Sequence, residues 1–441
     1  MILPEDFRER VRITLKDEYE DFIKSYEFNN HRALRVNTLK GSIDYFVEKN
    51  PWGISDKDMV PWCSEGFYIE DIPAGAHPYH EAGVYYIQEP SAMLPVEKLD
   101  IKAGDRVLDL CASPGGKSTQ IAAKLKGTGF LIANEINASR AANLSENVER
   151  MGVGNTLVLI HDPQTLSAHF PSFFDKVLVD SPCSGEGMFR KNPEAISEWS
   201  VENVKMCAQR STDILNEADI MLKPGGRLVY STCTFAPEED EECIDNFLKT
   251  HEGYELISME KLWPHKVRGE GHFCAVLIKN EENNKETKYS HIKCINEKLI
   301  KDYRDFEKEN LKISASGFYA DSGASFITYG PELYLVKEDY PDLKGLRVLR
   351  PGLHLGTLKK DRFEPSFALS HFLKKEDVVN VTDIDVSLAA EYIKGMTFPA
   401  DGDKGYHLIT TDGYSLGWGK LSNNIMKNHY PKGLRKQLQV K

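Results

Sequence analysis

The feature that most constrains this chain is an alternation of strand-like and helix-like segments between about residues 100 and 282. Short apolar runs (DRVLDLC, TGFLIANE, TLVLIHD, FDKVLVDSP, GRLVYSTC, CAVLIKN) are separated by stretches with helical spacing, among them KSTQIAAKL, ASRAANLSENVERM and SVENVKMCAQRSTDILNEADIML. Parallel strands need crossover connections, so this alternation predicts a doubly wound, Rossmann-like α/β sheet with helices on its faces. Ligands of such a sheet sit at the carboxyl ends of its strands. Six short loops therefore become the place to look for chemistry.

The rest of the 441 residues arranges itself around that unit. Residues 1–95 read as a small α+β, RRM-like domain. In it a helix through PEDFRERVRITLKDEYEDFIKSY precedes the strand RALRVNTL, and GVYYIQEPSAMLPVEKL reads as a strand entering a helix. The doubly wound domain takes 96–282. The polar stretch NEENNKETKYS reads as a linker. A connecting α+β domain follows over 283–365, then a turn-rich, β-rich module over 366–441.

Composition removes several classes. No run of about 18 apolar residues exists, so no transmembrane helix and no membrane partner are expected. The charged start MILPEDFRERV has no apolar core of a secretory signal, which makes the cytoplasm the expected compartment. Thiols stay reduced there. The eight cysteines form no C-x-x-C pair, so neither a disulfide framework nor a metal site is expected. A net charge of −12 argues against gripping nucleic acid over the whole surface.

The first loop, CASPGGKS, follows the strand DRVLDL. Gly115 and Gly116 permit a tight turn, and Lys117 and Ser118 open a helix whose amides favour anions. The loop misses a P-loop only at Cys111, where the first glycine would stand, so a P-loop NTPase is a rival reading. Glu135, nineteen residues after Gly116 at the end of the second strand, suits hydrogen bonds to a ribose diol, which a P-loop protein does not need. Asp162 ends the third strand, where it could accept from an adenine amino group or simply cap a helix before Pro163.

Asp180 ends the fourth strand, and Cys183 follows it. Cys233 ends GRLVYSTC. Two cysteines thus converge on one edge of the sheet beside a proposed cofactor loop; the other five outside that loop read as buried apolar residues. A thiolate, a carboxylate and an adenosine cofactor together suit methylation at C5 of a pyrimidine. Thiolate addition at C6 activates C5, an acid near N3 offsets ring charge, and a base removes the C5 proton. Spacing alone does not choose between the two cysteines as nucleophile.

CASPGGKS, DSPCSGEGMFRKNPE and YSTCTFAPEEDEE resemble the signature loops of the NOL1/NOP2/Sun family of RNA cytosine-C5 methyltransferases. The segments RALRVNTL and GVYYIQEPSAMLPVEKL resemble that family's N-terminal part. GYSLGWGKLSNNIMKNHYPKGLRK is similar to the RNA-binding tail of its bacterial RsmF-like branch, which acts on 16S ribosomal RNA. The resemblance implies S-adenosylmethionine as cofactor, held by Cys111, Ala112, Ser113, Pro114, Gly115, Gly116 and Lys117, with Glu135 on the ribose, Asp162 on the adenine side and Asp180 near the methionine part. It implies Cys233 as nucleophile and Cys183 as the residue that assists product release. It also implies a PUA-like C-terminal fold. Transfer RNA is the alternative substrate, and a non-catalytic ribosome-assembly factor the alternative role.

An RNA enzyme needs basic surface. Residues 341–441 carry sixteen Lys or Arg against eleven Asp or Glu, a balance of +5 that leaves −17 on the other 340 residues. Lys427, Lys432, Arg435 and Lys436, with Trp418, Tyr414 and Tyr430 nearby, suit phosphate contact and stacking on unpaired bases. Arg190 and Lys191 form a second basic spot beside the cysteine loops. The acidic run Glu238 to Glu242 reads as structural, at a helix start. Such a tail should be removable without harm to cofactor binding, and a monomer is expected.

Overall fold

The structure, a computed structural model, describes residues 1–28, 30–280, 289–319 and 321–438. Most of the expected linker, residues 281–288, lies outside them. The centre is an eight-stranded sheet. Its strands are β1 (Arg106–Asp109), β2 (Phe130–Asn134), β3 (Thr156–Leu159), β4 (Phe174–Asp180), β5 (Leu222–Thr232), β6 (Tyr254–Leu262), β7 (His272–Lys279) and β8 (Val348–Arg350), in the order β6-β7-β5-β4-β1-β2-β3-β8. Strands β1 to β5 pair in parallel. Strand β7 runs antiparallel beside β5. The sheet is doubly wound, as the alternation predicts.

Successive residues of these strands bury on opposite faces, as strand geometry requires. Leu108, Ile132, Leu157, Val177 and Tyr230 enter one core. Val107, Leu131, Val158, Leu178 and Val229 enter the other. Burial on both sides explains why the runs read as continuously apolar. The helices that matter here are α1 (Gly116–Leu125), α2 (Ala138–Arg150), α3 (Pro163–His169), α4 (Val201–Met221) and α5 (Glu241–Thr250). Strand order reverses between β1 and β4, so a crevice opens at their carboxyl ends.

The flanking units are tied tightly to this centre. Strand β8 comes from the connecting segment and pairs antiparallel with β3, covering what would be an open sheet edge. The expected single N-terminal helix is two, Glu5–Leu15 and Tyr19–Ser25, because the chain turns at Lys16, whose φ is +50°. The turn lets Phe7, Val11, Tyr19 and Phe22 bury together against Phe189, Trp199 and Phe235 of the central domain. A four-stranded N-terminal sheet follows, built from Ala33–Val36, Met59–Val60, Cys63–Tyr68 and Tyr85–Gln88.

Two further sheets make up the C-terminal part, one of four strands within 324–365 and one of five within 381–428. The last sheet shares a core with the N-terminal domain: Leu34, Phe46, Phe67 and Tyr85 pack with Ile384, Tyr392, Ile409, Tyr414 and Met426. The Tyr79 hydroxyl also donates to the Asp412 carboxylate at 2.6 Å. Among the described residues no helix is long and apolar enough to cross a membrane.

Candidate active site

Strands β4 and β5 are adjacent, and their register sets Asp180 beside Ser231. The loops that leave them carry Cys183 and Cys233 side by side, with Sγ to Sγ 3.3 Å. Asp180 accepts from Lys117 Nζ at 2.8 Å and from Ser231 Oγ at 2.8 Å. Burial alone would raise its carboxyl, but Lys117 and His272 outweigh that and hold it well below the usual carboxylate range. The Cys183 thiol is pushed up, first by its hydrogen bond with Cys233 and then by burial. Cys183 therefore keeps its proton at neutral pH.

The acidic run is structural, and for a stronger reason than a helix dipole. Glu239 and Asp240 are both fully buried. Glu239 accepts from the Ser184 amide at 2.8 Å and from the Ser184 hydroxyl, so it braces the Cys183 loop. Asp240 accepts from Thr232 Oγ1 and pairs with Lys261 at 2.8 Å, so it braces the Cys233 strand end. Burial pushes the Glu239 carboxyl up to about 7. Glu238, Glu241 and Glu242 are not buried; Glu238 pairs with Arg10 and Glu241 with Lys261.

Two cavities meet at this point. The larger, about 710 Å³, is lined by Cys111, Ser113, Glu135, Asp162, Asp180, Cys183 and Cys233. The smaller, about 420 Å³, is lined by Ala112, Pro114, Gly116, Lys117, Lys191 and His272, and by Tyr86 and Gln88 of the N-terminal domain. Cys111, Ser113, Arg140, Asp180 and Cys233 face both. Gly115 turns the loop into α1 at φ +109°, where a side chain would be strained. Glu135 is 3% exposed and takes the Asn137 amide at 2.9 Å. Asp162 faces the cavity and also caps α3, accepting from the Thr165 amide at 2.8 Å.

The P-loop reading fails on this geometry. Lys117 is engaged by Asp180, and the Ser118 hydroxyl donates inward to Asp109 at 2.6 Å. Neither is free for a phosphate or its metal ion. Asp109 is itself buried, which pushes its carboxyl up to about 7.

The expected RNA-contacting residues divide. Lys191, Lys427 and Lys432 are exposed. Lys436 is half-exposed and pairs with Glu81 at 2.6 Å. Four of the expected residues, Trp418, Tyr414, Tyr430 and Arg190, are corrected. Trp418 is 2% exposed, its indole N–H donates to Ser366 O at 2.9 Å, and its ring packs among Phe306 and Tyr406. It has no free face on which a base could stack. Tyr414 and Tyr430 are buried as well. Arg190 is an internal clamp: it pairs with Glu270 at 2.7 Å and donates to Ser25 O at 2.7 Å, with a side chain 5% exposed. Arg435 donates to Tyr430 O and lies against Gly395. A residue the sequence did not flag, His272, stands at the start of β7 inside the smaller cavity. The predicted strand CAVLIKN begins two residues after it, and a lone histidine there carries no spacing signal.

The comparisons agree along the chain. Residues 96–285 match the family described as 16S rRNA methyltransferase RsmB/F, and 3–90 match the N-terminal domain of 16S rRNA methyltransferase RsmF. Residues 305–373 match the RsmF rRNA methyltransferase first C-terminal domain, and 379–436 the methyltransferase RsmF PUA domain. Ribosomal RNA small subunit methyltransferase F of Vibrio vulnificus (strain YJ016) is 33% identical over 98% of this chain and 97% of its own length. The protein of that name from Escherichia coli O6:H1 is 32% identical over 97% and 94%.

Among solved structures, a methyltransferase homolog protein from Pyrococcus horikoshii is 30% identical, with a TM-score of 0.54 over 59% of this chain and 90% of that one. NSun6 from the same organism shares the fold, at 22% identity and a TM-score of 0.56 over 63% and 99%. With its four matched segments, its strand-end loops and relatives aligned over nearly their whole length, the chain belongs to the RsmF family of 16S rRNA methyltransferases.

Proposed function

We propose that this protein methylates C5 of cytosine in 16S rRNA, with Cys233 as the covalent nucleophile and S-adenosylmethionine as methyl donor. The observation that carries the reading is the pair of sulfurs at 3.3 Å beside the Asp180–Lys117 pair, at the meeting point of two cavities.

The larger cavity suits the cofactor by its donor set. Glu135, at the tip of β2, can accept from both hydroxyls of a ribose, and Asp162, at the tip of β3, can accept from an adenine amino group. When bound there, S-adenosylmethionine supplies an electrophilic methyl on a sulfonium centre. Cys111, Ala112, Ser113, Pro114, Gly115, Gly116 and Lys117 form the turn that separates it from the smaller cavity, where the target base belongs.

The chain's own groups then divide the work. Cys233 adds through sulfur to C6 of the base, which makes C5 nucleophilic. The Cys183 thiol, pushed up by its contact with Cys233 and by burial, keeps its proton and stands 3.3 Å from the Cys233 sulfur, within reach to hydrogen-bond it. Asp180 is held as a carboxylate, so its part is to accept from the cytosine amino group rather than to protonate N3. After methylation a base takes the C5 proton, the C5–C6 double bond re-forms and the C6–S bond breaks with Cys233 leaving as thiolate; Cys183 assists this release. Of the basic residues expected to touch RNA, Lys191, at the cavity, and Lys427 and Lys432, on the PUA domain, are exposed and can meet RNA phosphates.

Bisulfite sequencing of 16S rRNA and tRNA from a strain lacking the gene tests the reading. One or more protected cytosines in 16S rRNA should lose protection. Loss confined to tRNA, or none at all, would refute it.

A further inference from the structure

Among the polar side chains that line the smaller cavity, His272 is given no part in the steps above. His272 precedes the Phe273–Thr232 pair, so it lies across from Cys233. It is 2% exposed and lines the cavity with Cys233, Asp180 and Lys117. Among the described residues neither ring nitrogen has a hydrogen-bond partner within 3.5 Å. Nε2 stands 3.6 Å from Asp180 Oδ1, an oxygen that already accepts from Ser231. Buried polar groups are nearly always paired, and an unpaired one at a site calls for a functional explanation.

We propose that His272 reads the target base, donating its ring N–H to the O2–C2–N3 edge of the pyrimidine. The proposal rests on the cytosine-C5 reading above. Sulfur addition at C6 moves negative charge onto O2 and N3, where a donor lowers the barrier. Asp180 is a carboxylate and can only accept, which fits the N4 amino group on the opposite side of N3. Of the donors beside Asp180 in the cavity, Lys117 already gives a hydrogen to its Oδ2 at 2.8 Å, and His272 is the one that carries no charge. The groups facing His272 are Lys117 of α1, Asp180 of β4 and Glu89 of the N-terminal segment. Burial first, and then Lys117, holds the ring below its ordinary pKa, so it is neutral with one N–H at neutral pH. Together Asp180 and His272 present an acceptor and a donor, which is the complement of cytosine; uracil would set its O4 against Asp180.

The test uses the full-length protein with tritiated S-adenosylmethionine, on free 16S rRNA and on small subunits from a strain lacking the gene. His272→Phe keeps the ring volume without a donor. His272→Gln restores an N–H near the Nε2 position. His272→Phe should lower kcat by about 10²–10³-fold, with cofactor affinity by calorimetry unchanged, and His272→Gln should recover about tenfold or more of that loss. His272→Phe within about threefold of wild type would overturn the proposal. So would a glutamine variant no better than phenylalanine, or loss of cofactor affinity alongside activity. If nucleosides from the wild-type reaction carry label elsewhere than 5-methylcytidine, the cytosine reading fails and His272 with it. Normal 5-methylcytidine formation by His272→Phe sinks His272 alone.

Discussion

The strand-end loops of the central sheet and the C-terminal module were both read from chemistry-bearing residues, yet they folded to different ends. In the loops, Asp180, Cys183, Glu135 and Cys233 all reach cavities at the carboxyl edge. In the module, Trp418, Tyr414 and Tyr430 turn inward and are buried. The reason is geometric. A parallel strand delivers its terminal residues to a known edge whatever packs around it. An aromatic ring in a small β module is both a good stacking surface and a good core residue, and only the neighbouring elements decide between them. For Tyr414 and Tyr430 the neighbour is the N-terminal domain, which shares their core; for Trp418 it is the connecting segment, through Tyr303, Phe306 and Phe363.

The largest expected effect separates the two cysteines. Cys233→Ala should reduce methyl transfer to background and abolish covalent attachment to RNA. Cys183→Ala should let an RNA–protein adduct accumulate, visible as a shifted band on denaturing gels. An adduct that forms only with Cys183 intact would reverse the roles.

Next, the C-terminal aromatics should act on stability. Trp418→Ala should destabilise by roughly 3–5 kcal/mol, as deletions of buried large rings do, and lower the melting temperature. Normal melting with lost RNA affinity would restore Trp418 to the RNA surface. Lys427→Ala with Lys432→Ala should do the opposite: unchanged melting, weaker RNA binding, and a salt slope smaller by about 1–2.

Truncation after residue 370 sharpens the same contrast. The sequence suggested a detachable tail, but removal would expose Leu34, Phe46, Phe67 and Tyr85. The shortened chain should aggregate or melt early, rather than lose RNA binding alone. A truncated protein that melts like wild type and still binds cofactor would make the module independent after all.

The smallest effect concerns pH. The Glu239 carboxyl stands at about 7, above its ordinary 4.5. The folded state thus binds the extra proton between those values, and stability contributed by the neutral form is lost as pH rises through 7. Glu239→Gln should flatten that fall in melting temperature between pH 5 and 8. An unchanged slope would mean that Glu239 is ionised in place.

How much was legible follows the same division. The doubly wound sheet was readable because strands buried on both faces leave long apolar runs, and its order put the crevice where ligands sit. Cys183 and Cys233 could be named, but their 3.3 Å contact needed the β4–β5 register. Arg190 looked like surface charge beside the site, and only its partner Glu270, eighty residues on, makes it a clamp. His272 carried no pattern, because its meaning comes from β7 lying antiparallel to β5.

The sequence by itself determined the fold class, the loops at the strand ends and which two thiols those loops carry, since these depend on local periodicity and on strand ends. The tertiary structure alone decided which charges and rings remain free. Asp180 is a carboxylate because Lys117 meets it, Glu239 and Asp240 brace the thiol loops because both are buried, and Trp418 is core because Ser366 and Phe306 enclose it. Burial and pairing are properties of partners distant in the chain, and no local pattern specifies them.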